Sequence, residues 1–168
     1  HTNTEIISSL MSSLLDQQKY DEMNQYLSSV SDDNSLNYLK GVAAMGLKKY
    51  DEAETHFQNV LSSGDQGLST KVYLNRVRNF FLAERYNEAI QAGEQYLSRI
   101  NPDKEKAIYS EMLDKIELSY FRVGNYEQAR SYYSKIASMK GYEVYGKFQI
   151  ADSYYNEKNY AKAGELYK

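Results

Sequence analysis

The sequence of 168 residues has no cysteine, no tryptophan, one proline and two histidines. Without cysteine there are no disulfides, no thiolate nucleophile and no sulfur-based zinc site. Cysteine usage also leaves the compartment unmarked, so cytoplasmic and periplasmic or cell-envelope locations both stay open. With only His1 and His56, there is little material for a nucleophile–base pair or a nitrogen-rich metal centre. His56 follows Glu52 by four residues, the spacing of a solvent-facing pair on a helix. No phosphate-cradling glycine-rich loop occurs and the carboxylates are scattered, so no catalytic, cofactor-binding or metal-binding residue is assigned. No stretch approaches the roughly 18 consecutive apolar residues of a membrane span, and the start, HTNTEIISSL, lacks the order of a secretion signal. Long runs of lysine or arginine are also missing. With a net charge of -3, the electrostatic footprint of a nucleic-acid or anionic-membrane binder is absent.

Tyrosine, by contrast, is abundant: eighteen residues against five phenylalanines. Stacking readers of nucleic acid combine aromatics with a basic groove, so the tyrosines are better read as packing residues. The balance of 42% hydrophobic and 26% charged residues is that of a folded chain of ordinary single-domain size. A single proline permits helices almost anywhere.

Many of the tyrosines belong to a repeat. Tyr-x-x-Ala occurs as Tyr50/Ala53, Tyr86/Ala89, Tyr126/Ala129 and Tyr160/Ala163, with Tyr20/Met23 as a weaker first copy. After two of the markers, apolar or small residues follow in steps of three and four: Ala53, Phe57, Val60 and Leu61, or Ala129, Tyr133, Ile136 and Ala137. That period defines one face of a helix. A second helical pattern precedes the first and last markers, through Leu10, Met11, Leu14 and Leu15 and through Ile150, Ala151, Tyr154 and Tyr155. Each unit is therefore predicted to be a helical hairpin. Asn125 and Gln128 have the form of a capping box, and Asp21, Glu22, Asp51 and Glu52 sit where a helix N-terminus favours acids. Turn-formers at Ser31–Ser35, Ser62–Gly67, Asn101–Lys104 and Lys140-Gly141 separate the units.

On these residues the chain resembles a tandem array of tetratricopeptide repeats, helix–turn–helix units of about 34 residues. The last copy carries the pattern best, through Ala151, Tyr154, Tyr160, Ala163 and Tyr167, and the second carries it through Gly41, Ala44, Tyr50, Ala53 and Phe57. The resemblance implies an all-α fold, a right-handed α-α superhelix of antiparallel hairpins. It would run over 1–168 as one solenoid with approximate repeats 4–30, 35–63, 68–100, 105–140 and 143–168, the last cut short as in a fragment of a larger bacterial protein. Three departures predict local distortion. Met11, Val77 and Glu117 replace the small residue that Gly41 and Ala151 supply, Gly93 stands where an aromatic is usual, and marker spacings of 36 and 40 imply longer helices or loops.

The family resemblance also implies a concave groove lined by the first helix of each hairpin. Carried over, it draws on Tyr38, Val42 and Met45, then Lys71, Leu74, Arg78 and Phe81. The fourth repeat adds Asp114, Leu118, Phe121 and Arg122, and the last adds Tyr145, Phe148, Asp152, Tyr155 and Asn156. Aromatics flanked by a few charges suit an extended peptide or an amphipathic helix. A subset of the family clamps a C-terminal carboxylate with Lys and Asn on successive first helices. The matching positions here are Ser8, Tyr38, Leu74, Asp114 and Phe148, and the paired Asn is missing, so that mode is not expected. The expectation is a non-catalytic scaffold that binds a protein or peptide, without nucleic acid, membrane insertion or cofactor. The alternatives are a structural array that self-associates through exposed repeat ends, or the regulatory arm of a larger envelope-associated or enzymatic protein.

Overall fold

The computed structural model describes residues 2–30, 36–64, 67–139 and 141–168. These form two compact units. The first, His1–Ala83, contains α1 (Thr2–Asp16), α2 (Tyr20–Ser29), α3 (Asn37–Gly46), α4 (Tyr50–Ser62) and α5 (Ser69–Leu82). The second, Glu84–Lys168, contains α6 (Tyr86–Leu97), α7 (Lys106–Arg122), α8 (Tyr126–Ala137), α9 (Glu143–Asn156) and α10 (Tyr160–Leu166). No strand occurs among the described residues, and within each unit every helix packs on the next. The fold is all-α, as the 3.6-residue periodicity requires. The turn-formers at Ser31–Ser35 lie outside the described residues, as do residues 65, 66 and 140 of the next hand-over segments.

Each marker tyrosine opens a helix, at Tyr20, Tyr50, Tyr86, Tyr126 and Tyr160, and the helices at Tyr20, Tyr50, Tyr126 and Tyr160 pack on the preceding helix of the same unit. The cause lies two residues earlier. Gln18, Lys48, Glu84, Gly124 and Lys158 all adopt left-handed backbone, with φ between 55° and 79°. One left-handed residue ends a helix by turning the next amides back onto its last carbonyls. Lys49 N–H bonds the Ala44 carbonyl at 2.9 Å while Lys48 N–H bonds that of Met45 at 3.0 Å, and the same pair of bonds recurs at Lys19, Asn125 and Asn159. Side-chain caps then start two of the second helices: Asn125 Oδ1 accepts from Gln128 N–H, and Asn159 Oδ1 from Lys162 N–H, each at 3.3 Å.

Three residues after each marker, Met23, Ala53, Ala89, Ala129 and Ala163 are buried. In the first unit Met11, Leu14, Met23 and Leu27 form one cluster, and Val42, Ala53, Phe57, Val60 and Val72 form the next. Gly41 makes room for Phe57, since a Cβ there would lie 2.5 Å from the ring. The second unit fills the same space differently. At Gly93, Ile116 of α7 occupies the volume that a side chain would need, so the missing aromatic is replaced by packing rather than left loose. The 40-residue marker spacing is absorbed by α7, at 17 residues the longest helix, and by a turn in which Asn101 Oδ1 accepts from Asp103 and Lys104 N–H.

Candidate functional site

Two clefts, one in each unit, bring polar and aromatic groups together. In the first unit a cavity of about 240 Å³ lies against α3 and α5. Tyr38, Val42 and Met45, at helical steps of four and three, present one face of α3, and Asn75 and Arg78 present one face of α5. Leu15 and Tyr20 of the first hairpin and Leu82 complete the wall. A polar chain crosses it: Arg78 Nη1 donates to Asn75 Oδ1 at 2.8 Å, and Asn75 Nδ2 donates to the Tyr38 hydroxyl at 3.1 Å. The cleft is therefore largely apolar with one guanidinium at its side. Four sequence-predicted groove residues, Tyr38, Val42, Met45 and Arg78, meet here. Of the others on α5, Lys71 is exposed, Phe81 half-buried and Leu74 buried in the packing.

The second unit carries a cavity of about 350 Å³ between α7, α8 and α9. Ala107, Ser110, Glu111 and Asp114 line it from α7, Ile136 from α8, and Tyr142 and Tyr145 from the start of α9. The Tyr145 hydroxyl donates to Asp114 Oδ1 at 3.0 Å, while Lys115 Nζ lies 3.2 Å from Asp114 Oδ2. Burial first, then the Asp114 charge, pushes the Tyr145 phenol up to about 12. Only Asp114 and Tyr145 of the sequence-predicted set reach this cleft. Leu118 and Phe121 are half-buried, Phe121 edge-on against Tyr126 at 5.3 Å, and Arg122 is exposed. On α9, Phe148 packs against Tyr167, Tyr155 meets Tyr160 edge-on at 5.3 Å, and Asp152 accepts from the Tyr167 hydroxyl. Asn156 Nδ2 donates to the Asp152 carbonyl at 2.8 Å.

Behind Asp114, one turn along α7, lies Glu117. It is 0% exposed, and neither carboxyl oxygen has a hydrogen-bond partner. The Tyr133 hydroxyl of α8, which donates to Gln149 Oε1 at 3.3 Å, also acts on this carboxyl. Burial pushes the Glu117 carboxyl up to about 9; Tyr133 and Lys115 oppose the shift and Asp114 adds to it. The group is accordingly neutral at pH 7. Tyr133, in turn, is raised well above the ordinary phenol value by burial and by Glu117.

Sequence reasoning missed Asn75, Glu111 and Tyr142. Asn75 and Arg78, like Glu111 and Asp114, are three apart and share a helix face, a signal available in the sequence. Tyr142 lies just outside α9, and only its position at the helix entrance brings it to the cleft. His56 Nδ1 lies 3.0 Å from Asn37 Oδ1 across the hairpin, and Glu52 pairs with Lys49. Among the described residues, no group of three or more His, Cys, Asp or Glu side chains is placed to hold a metal, and no helix is long and apolar enough to cross a membrane.

Residues 38–105 match the family model of the tetratricopeptide repeat. Over 102 residues the chain is 26% identical to the CRISPR-associated endoribonuclease Cas13a of Leptotrichia wadei (strain F0279), a stretch covering 60% of this chain and 9% of that protein. The chain thus spans less than a tenth of the relative it matches. Tetratricopeptide repeats generally mediate protein–protein interaction and are typically non-enzymatic. The family match over residues 38–105 and the succession of packed helices within each unit are consistent with a tetratricopeptide-type helical repeat array.

Proposed function

We propose that the protein is a non-catalytic scaffold that captures a short segment of a partner protein on the first helices of its hairpins. What supports this reading is the cleft of the first unit, where apolar surface from Tyr38, Val42 and Met45 meets the Arg78 guanidinium. Apolar walls with a few placed polar groups supply both affinity and orientation. The site is built on packed helices, so little ordering is needed on the scaffold's side. The reading takes nothing from the endoribonuclease activity named for the relative, of which this chain covers 9%. Panning a displayed peptide library against the full chain tests the reading. Enriched peptides are expected to lose about tenfold or more in affinity on Met45→Glu or Arg78→Glu. Peptides that bind both variants as well as the unaltered chain would remove this cleft from the mechanism.

A second reading, self-association, is favoured by apolar exposure on α9, where Val144 is 69% and Phe148 56% exposed at an i,i+4 spacing. Sedimentation of Val144→Lys/Phe148→Lys separates the two readings. A monomeric unaltered chain ends the second one.

A further inference from the structure

We propose that the cleft between α7, α8 and α9 receives a basic side chain, lysine or arginine, of a bound protein segment. The inference rests on the peptide-capture reading and adds the chemistry of one residue of the captured segment.

The cleft differs in kind from an acidic patch on a helix surface. It is a concavity of about 350 Å³ with an apolar floor from Ala107 and Ile136, enough to hold the methylene stem of a long side chain. Glu111 and Asp114 stand on one wall, Tyr142 and Tyr145 on the other. Carboxylates pair with a cationic tip, and tyrosine rings attract a cation at their faces. Partly desolvated walls strengthen both effects relative to open water.

The wall that carries the two carboxylates continues beyond the cleft. The α7 stripe that lines the cleft runs through Ser110 and Asp114 and continues, at the next helical step, to Glu117. That carboxyl is fully buried and unpartnered, and it is coupled electrostatically to Asp114 and Tyr145, the two residues that bridge α7 and α9 across the cleft. Buried polar groups without partners are rare in folded proteins. Because Glu117 is held neutral, the charge that a cation meets in the cleft is that of Glu111 and Asp114. Lys115 already pairs with Asp114 at 3.2 Å, so the incoming group shares or displaces that contact rather than meeting a bare charge. The affinity of one side chain is correspondingly modest. Its effect is to select, from apolar segments able to bind, those with a basic residue in register.

Acetyl-arginine amide, titrated into the isotopically labelled full chain and followed by amide chemical shifts, is the direct test. Saturable shifts are expected at Ser110, Glu111, Asp114 and Tyr145. They should be absent with acetyl-citrulline amide, which has nearly the same shape and no charge. Glu111→Gln/Asp114→Asn should weaken binding about tenfold or more. The citrulline control is made on the unaltered chain, so the test survives if that double variant does not fold. Equal shifts with both compounds, or arginine shifts scattered over acidic surface outside the cleft, overturn the proposal. Library peptides that bind while acetyl-arginine amide leaves the cleft unshifted overturn this inference alone. Shifts at the cleft with no library peptide bound overturn the peptide-capture reading alone.

Discussion

The two units are built from the same hairpin but hold it together with different chemistry. The first contains five tyrosines and the second thirteen. In the first, polar bonds between helices include side-chain amides, as in Asn75 to Tyr38 and Asn79 Nδ2 to the Tyr50 carbonyl at 2.8 Å. In the second they come largely from phenols: Tyr120 and Tyr132 both donate to Glu94 Oε1, at 2.7 and 2.9 Å, and Tyr145 donates to Asp114. The contrast is sharpest where the paired helices cross. Gly41 lies under Phe57 in the first unit, and Glu117 lies beside Tyr133 in the second, at the same register of the repeat. Where the backbone gives way the ring can be apolar. Where a long carboxyl takes the space, the ring carries a hydroxyl.

Swapping these solutions should break the difference. Gly41→Glu forces a charged side chain into the volume of Phe57 and should cost about 5 kcal/mol or more, combining overpacking with an unpaired buried charge. Denaturant unfolding would register this as a lost or lowered transition, and an unchanged midpoint would mean that Phe57 yields easily.

Next in size is the pH dependence confined to the second unit. Glu117 has an ordinary value of 4.5 and a folded value of about 9. Below pH 4.5 the group is neutral in both states. Between the two values the unfolded chain releases the proton and the folded one keeps it, so stability falls by up to about 1.4 kcal/mol per pH unit and levels off above about 9. Between pH 5 and 8 the loss is about 4 kcal/mol, and Glu117→Gln should flatten it. Unfolding curves at the two pH values for both proteins check this. An equal fall in Glu117→Gln assigns the dependence to other groups.

The units also differ in how deeply they bury an ion pair. Arg76 of α5 forks onto Glu54 of α4, with the side chains 14% and 13% exposed, whereas Arg130 bonds Glu157 with 17% and 33% exposed. Glu54→Ala should cost about 3 kcal/mol because it takes the carboxylate from a largely buried guanidinium, and Glu157→Ala about 1 kcal/mol. Equal costs would show that burial does not separate the two pairs.

The smallest effect concerns the hairpin turns, the feature shared by both units. Lys48→Gly should stabilise by up to about 1 kcal/mol, since glycine accepts positive φ without strain, and Gly124→Ala should destabilise by a similar amount. Melting temperatures moving in the same direction for both substitutions would contradict the common turn geometry.

Much of the fold was legible in the sequence because each hairpin repeats a local code. The marker tyrosines, the buried small residues at Ala53, Ala89, Ala129 and Ala163, and the Asn125 cap all follow from short-range rules of helix period and terminus chemistry. The left-handed turn residues did not stand out, because Gln18, Lys48, Glu84 and Lys158 are not residues that such a backbone ordinarily selects. At Gln18, Lys48 and Lys158 they are held by amides that turn back onto the end of the preceding helix. The clefts were legible in part. Tyr38, Val42 and Met45 share a face by spacing alone, but their meeting with Arg78 depends on how α3 lies against α5.

The sequence by itself determined the all-α class, the start of each marker helix and the absence of raw material for cysteine or histidine chemistry, since these depend on residue type and local period. Tertiary structure alone decided that Ile116 would fill the space at Gly93, that His56 would turn to Asn37, and that Glu117 would be buried without a partner. Each of these depends on which side chains from distant parts of the chain compete for one volume, and helical spacing carries no information about that competition.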